Sequence, residues 1–162
     1  MKKIFLLVAI TISTIVTAQV SKVSLQASGL TCSICSNAIN QALKTLDFVD
    51  KVDADIKNYT FEISFEDANP VDFDKIRKKV EDAGFSVSAF VAAIYFDGVQ
   101  LKENEPVQVG DQSLFFVNGK NQLLSGVQNV KVLDQGFVPS KQSKSIGFSA
   151  QSRSSRLYHV SL

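Results

Sequence analysis

Two helix-spaced apolar stripes sit among four alternating runs over residues 20–96. Beyond them, short apolar runs are cut by Gly-Asp and Asn-Gly pairs. Together these patterns predict an α+β chain: a ferredoxin-like βαββαβ sandwich followed by a small all-β unit.

The opening Met1-Lys2-Lys3, the apolar run Ile4–Val16 and the small residues before Gln19 read as a signal peptide over residues 1–18. The run is short for a membrane span, which needs roughly 20 apolar residues. Gln19, not a cysteine, stands immediately after the expected cut, which argues against a lipid anchor. The expected mature protein is therefore periplasmic or secreted, with no membrane span after cleavage.

From Val20 the pattern alternates, with Val23 and Leu25 on one face and Val20, Lys22 and Ser24 on the other, until Gly29 breaks it. A helix is predicted over residues 33–46, with Ile34, Ala38, Ile39, Ala42, Leu43 and Leu46 on one face and Thr31 or Ser33 as its cap. Phe48–Ile56 and Tyr59–Phe65 read as a hairpin around Lys57-Asn58. A second helix is expected from Asn69-Pro70, with Phe73, Ile76, Val80 and Ala83 facing inward and Gly84 ending it. Phe85–Phe96 is strand-like and completes a domain over residues 19–96.

After Asp97-Gly98 helical periodicity disappears. Runs at 107–109, 114–117, 123–124, 130–133, 137–138, 146–148 and 157–160 predict a β-rich C-terminal domain over residues 97–162. Asn118-Gly119 marks a hairpin there, and the serine-rich stretch 140–155 a flexible loop.

Charge is nearly balanced, with 17 basic and 16 acidic residues, which argues against a nucleic-acid binder. Asp134 is the last acid, so Lys141, Lys144, Arg153 and Arg156 leave the C-terminal end basic, as a solvated loop would be. A single histidine, His159, leaves no Ser-His-Asp set, and no enzyme is expected. Asp47, Asp50, Asp53 and Asp55 lack the glycine and terminal glutamate of a calcium loop and read as a solvated strand face. Phe115-Phe116 sets one ring on each side of its strand.

Both cysteines lie in Thr31-Cys32-Ser33-Ile34-Cys35, between the first strand and the first helix. A disulfide across so short a loop stabilises little, so the pair reads as metal-binding or redox-active. Thiolates prefer soft cations, and a helix start favours the thiolate form. Zinc wants four ligands, yet His159 and Met1 stand alone of their kinds and position 31 is threonine. Cu(I), content with two sulfurs, leads; Zn(II) or another soft metal is the alternative.

Residues 20–96 resemble the heavy-metal-associated domain family of small copper chaperones and the arms of metal-exporting ATPases. The family signature is Gly-Met-x-Cys-x-x-Cys; the chain reads Gly29-Leu30-Thr31-Cys32-Ser33-Ile34-Cys35, and Ala83-Gly84-Phe85 matches the end of the second helix. The resemblance implies Cys32 and Cys35 as metal ligands, Leu30 where a buried methionine usually packs, and Phe85 as an aromatic shield. It further implies a metal-exchanging partner such as a transporter or cuproprotein, with Cys32 making first contact and Cys35 holding the ion. The expected form is a monomer or a metal-bridged dimer. A dithiol/disulfide redox protein, or a partner-binding protein acting through the C-terminal unit, remain as other readings.

Overall fold

The computed structural model describes residues 18–30, 33–66, 69–145 and 156–162. In chain order come β1 (Gln19–Ser28), α1 (Ser33–Leu43), β2 (Val49–Asp55), β3 (Thr60–Phe65), α2 (Phe73–Asp82) and β4 (Ser86–Leu101). Next are β5 (Val107–Val109), β6 (Gln112–Phe116), β7 (Gln122–Val132), α3 (Ser140–Ser145) and β8 (Leu157–Ser161). Strands β2-β3-β1-β4 are antiparallel neighbours, and α1 packs on α2. This is the ferredoxin-like arrangement, α+β, followed by a strand-rich region.

That later region continues the same sheet. The order of the eight strands is β2-β3-β1-β4-β7-β8-β6-β5, with β7 laid antiparallel along β4. Asp97-Gly98, where the expected C-terminal domain begins, forms a bulge inside β4. Phe96 pairs with Gly126 and Val99 with Leu124, so Asp97 and Gly98 together oppose Ser125, and Gly98 supplies the positive φ of 66°.

Asn118-Gly119 does turn the chain, with Gly119 N–H donating to Phe116 O. Yet it makes no hairpin, because β8 lies between β6 and β7 and pairs with both. The hairpin of this region is β5–β6, around Gly110-Asp111. The runs at 123–124 and 130–133 merge into the single strand β7, and Phe137 lies outside any strand. Within the expected loop, residues 140–145 form α3; residues 146–155, with the run at 146–148, lie outside the described residues.

The second helix starts later than Asn69-Pro70. Asp72 is its N-cap and accepts from Lys75 N–H at 3.0 Å, a sequence-local bond that satisfies one orphan donor of the first turn. Its inner residues Phe73, Ile76 and Val80 are buried as expected.

One hydrophobic cluster spans the chain from Val23 and Leu25 to Val132 and Val160. At its centre four rings close a cycle. Phe73 of α2 lies 5.0 Å from Phe90 and 5.2 Å from Tyr158. Phe137 completes it at 5.1 Å from Phe90 and 5.7 Å from Tyr158. Burying each ring is worth about 1.5–3 kcal/mol, so this cycle is the main tie between α2 and the C-terminal strands. The Tyr158 hydroxyl donates to Asp74 Oδ2 at 3.0 Å, and Arg156 reaches Asp72 at 3.7 Å. Burial first, and then the Asp74 charge, push the Tyr158 hydroxyl far above its ordinary range, so it stays a neutral donor.

Candidate metal-binding site

The stems of the cysteine loop are pinned before the loop begins. Ser28 pairs with Ser86 of β4, and Ala27 N–H donates to Tyr59 O at 3.1 Å. Gly29 then takes φ +86°, a left-handed turn that suits glycine. Leu30 drops its side chain into the core at 8% exposure, as expected for the residue under the loop. Residues 31 and 32 lie outside the described residues, so the position of the Cys32 thiol is not described; Ser33 opens α1.

Cys35 sits in the first turn of α1, half-buried and packed against the hydrophobic cluster. A thiolate there meets the positive end of the helix dipole, and no acidic residue of the first turn opposes it. The partly apolar surroundings hold the side chain in place.

The helix is turned relative to the expected face. Ser36, Ile39 and Leu43 are buried, Ala42 is half-buried, and Ile34 and Ala38 point outward. At 3.6 residues per turn Ile34 lies about 140° from Ile39, so a stripe centred on Ile39 and Leu43 leaves it out. Ile34 is consequently 79% exposed on the turn that carries Cys35. The expected stripe also missed Ser36, whose buried hydroxyl has no hydrogen-bond partner among the described residues, as is true of Asn40 Oδ1 one turn on.

Phe85 stands beside the loop: a Cβ on Gly29 would lie 3.9 Å from its Cδ1. The end of α2 sets it there. Gly84 turns at φ +90° and its N–H donates to Glu81 O, while Phe85 N–H donates to Val80 O. These two bonds form a Schellman cap, which fixes the residue after the glycine against the helix end.

Other candidate residues are engaged elsewhere. His159 is a buried residue of β8; its Nδ1 lies 2.8 Å from Asp134 Oδ1, and its backbone N–H donates to Asp134 Oδ2 at 2.7 Å. Phe115 packs edge-on against that imidazole, and Phe116 is buried on the opposite side of β6. Asp53 pairs with Lys51 at 2.9 Å. Asp55 closes the β2–β3 turn, and hydrogen bonds from Asn58 hold its carboxyl below the usual range. Among the described residues no three His, Cys, Asp or Glu side chains cluster as a metal site. No described helix is long and apolar enough to cross a membrane.

The heavy-metal-associated domain model matches residues 24–86. A probable copper-transporting ATPase of Arabidopsis thaliana is 36% identical over 69 residues, which cover 43% of this chain and 7% of the ATPase. The periplasmic component of a mercuric transport protein from Serratia marcescens is 33% identical over 89 residues, covering 54% of this chain and 97% of that protein. The yeast copper transporter domain Ccc2a, solved in apo and Cu(I)-loaded states, is 33% identical and covers 41% of this chain and 90% of its own, with a TM-score of 0.37. The chain belongs to the heavy-metal-associated domain family, which it joins through residues 24–86.

Proposed function

We propose that the protein is an exported Cu(I) carrier that holds the ion on Cys32 and Cys35 and passes it by thiolate exchange to a transporter or cuproprotein. The observation that carries this reading is Cys35, half-buried on the first turn of α1 in a chain of the heavy-metal-associated family. The sequence supplies a second thiol three residues earlier. In this reading residues 19–96 are the carrier domain, residues 97–162 a second unit joined to it, and the protein is a monomer or a metal-bridged dimer.

Transfer then follows from thiol chemistry. A partner thiol loses its proton as its sulfur joins the ion. Cys32, on the loop, is displaced first and takes up a proton; Cys35, held by the helix, lets go last. A helix start favours the thiolate form of Cys35, which helps the ion compete with a proton there. Phe85 limits water at the loop without adding a ligand.

A second reading, mercuric ion as cargo, is favoured by the Serratia relative, which is named a mercuric transport component and is matched over nearly its whole length. Export rests on the leader-like residues 1–18.

Metal content and thiol titration of protein recovered from the exporting compartment test both readings. About one equivalent of copper, absent from Cys32→Ser/Cys35→Ser, is the expected result. A stoichiometric disulfide that takes no Cu(I) after reduction would overturn the carrier reading. Cells lacking the chain separate the metals: they should lose tolerance to copper salts, whereas loss of mercuric tolerance alone would favour the second reading.

A further inference from the structure

On the export reading, on which this inference rests, cleavage after Ala18 makes Gln19 the first residue of the mature chain. Glutamine at that place has a chemistry that other residues lack. Its α-amine can close a five-membered ring on its own side-chain carbonyl. Two features of this chain favour the closure, one in the side chain and one in the backbone.

Gln19 is the exposed first residue of β1, set opposite Tyr95 of β4. Its side-chain amide has no hydrogen-bond partner among the described residues, so nothing there stops it turning toward the amine. The backbone is less open. Ala18 and Val20, on either side, are 8% and 9% exposed, and both belong to the hydrophobic cluster. In the uncut chain residue 19 enters this place through a neutral amide nitrogen. Cleavage leaves an ammonium there instead, and a charge beside apolar surface costs desolvation free energy. Ring closure bonds that nitrogen to Gln19 Cδ in place of the lost Ala18 carbonyl carbon, so it becomes a neutral amide nitrogen again.

We propose that Gln19 is a modification site and that the mature chain begins with pyroglutamate. An α-amine titrates at about 8, so near neutral pH part of it is neutral and nucleophilic. Its nitrogen attacks Cδ. The N–Cδ bond forms, the Cδ–Nε2 bond breaks, and Nε2 leaves as ammonia with the proton that the amine gives up. No oxidant or cofactor is consumed. The product lacks a free amine, which denies aminopeptidases their substrate and removes a nitrogen donor for divalent copper.

The test is intact-mass and N-terminal tandem mass spectrometry of protein taken from the exporting compartment, at once and again after storage. The expected chain starts at residue 19, is one ammonia lighter than the unmodified sequence, and yields to Edman degradation only after pyroglutamyl aminopeptidase. Gln19→Asn, one methylene too short for that ring, should keep its full mass. Cys32→Ser/Cys35→Ser should cyclise like the parent, which separates this site from the metal reading. A chain that starts at Gln19 with its amide intact, or that loses ammonia only on storage, would overturn the proposal and leave export standing. So would a cut at another residue. A chain that retains residues 1–18 would overturn the export reading, and this proposal with it.

Discussion

The turn that carries Cys35 and the seam between α2 and β8 are built from opposite materials. At the seam every large group is engaged: four rings pack in a cycle, Tyr158 donates to Asp74, and Arg77 lies 5.6 Å over the Phe137 ring. At the cysteine turn Ile34 is bare to solvent, and among the described residues nothing hydrogen-bonds the buried Ser36 hydroxyl or, one turn on, the buried Asn40 Oδ1. Packing free energy is concentrated where no metal chemistry is proposed. The turn that the proposed carrier would present to a partner is the one left incompletely satisfied.

The comparison breaks most visibly at the seam. Phe137→Ala should destabilise the fold by about 3–5 kcal/mol, because it removes a ring that is 2% exposed and touches both Phe90 and Tyr158. Urea unfolding measures this. Copper stoichiometry of the protein that remains folded should not change; a loss of copper binding without a loss of stability would show that seam and loop are not separate.

Asp134→Ala comes next, at about 2 kcal/mol, since one carboxylate accepts both the His159 backbone N–H and the contact from its Nδ1. Denaturation that matches the parent would mean that water replaces the carboxylate at no cost.

Tyr158→Phe should cost about 1 kcal/mol near neutral pH through the lost bond to Asp74. Its pH dependence is sharper evidence. In the unfolded chain Tyr158 ionises around its ordinary value of 10.0, whereas burial keeps the folded hydroxyl protonated well above that. The folded state then binds more protons, so the contribution is fully present below pH 10 and is lost as pH rises beyond it. The difference between parent and variant should therefore narrow in alkaline urea titrations. A constant difference would mean that the hydroxyl is not shielded.

Much of this contrast was legible in the sequence where one period ruled. The βαββαβ order, the inward Phe73, Ile76 and Val80, and the Gly84 stop follow from spacings a single element imposes on itself. Misreadings arose where two structural answers share one local signal. Asp97-Gly98 serves a turn or a bulge equally well, and only the partner strand β7 decides for the bulge. Asn118-Gly119 turns the chain, but whether its flanking strands pair depends on β8, about forty residues further on. In α1, Ile34 and Ala38 matched a helical spacing, yet the sheet buries the stripe centred on Ile39 and Leu43. Of the site, Leu30, Cys35 and Phe85 were read from the motif, whereas the buried Ser36 gave no apolar signal to find.

Ile34 supplies the smallest effect on stability and the sharpest test of the contrast. A residue at 79% exposure on a first helical turn contributes little to the core, so Ile34→Ser should change unfolding free energy by less than about 0.5 kcal/mol. Copper affinity should also hold, because the substitution leaves both thiols and the buried Leu30 intact. In the proposed transfer the partner approaches this turn, and a large bare side chain on the turn that carries Cys35 is apolar surface that such a partner can cover. Transfer to an acceptor carrying a similar dithiol should slow several-fold, read by stopped-flow mixing of the copper-loaded variant with the acceptor. Unchanged transfer would mean that the partner docks elsewhere, and that the bare isoleucine reflects only the rotation of α1 demanded by Ile39 and Leu43.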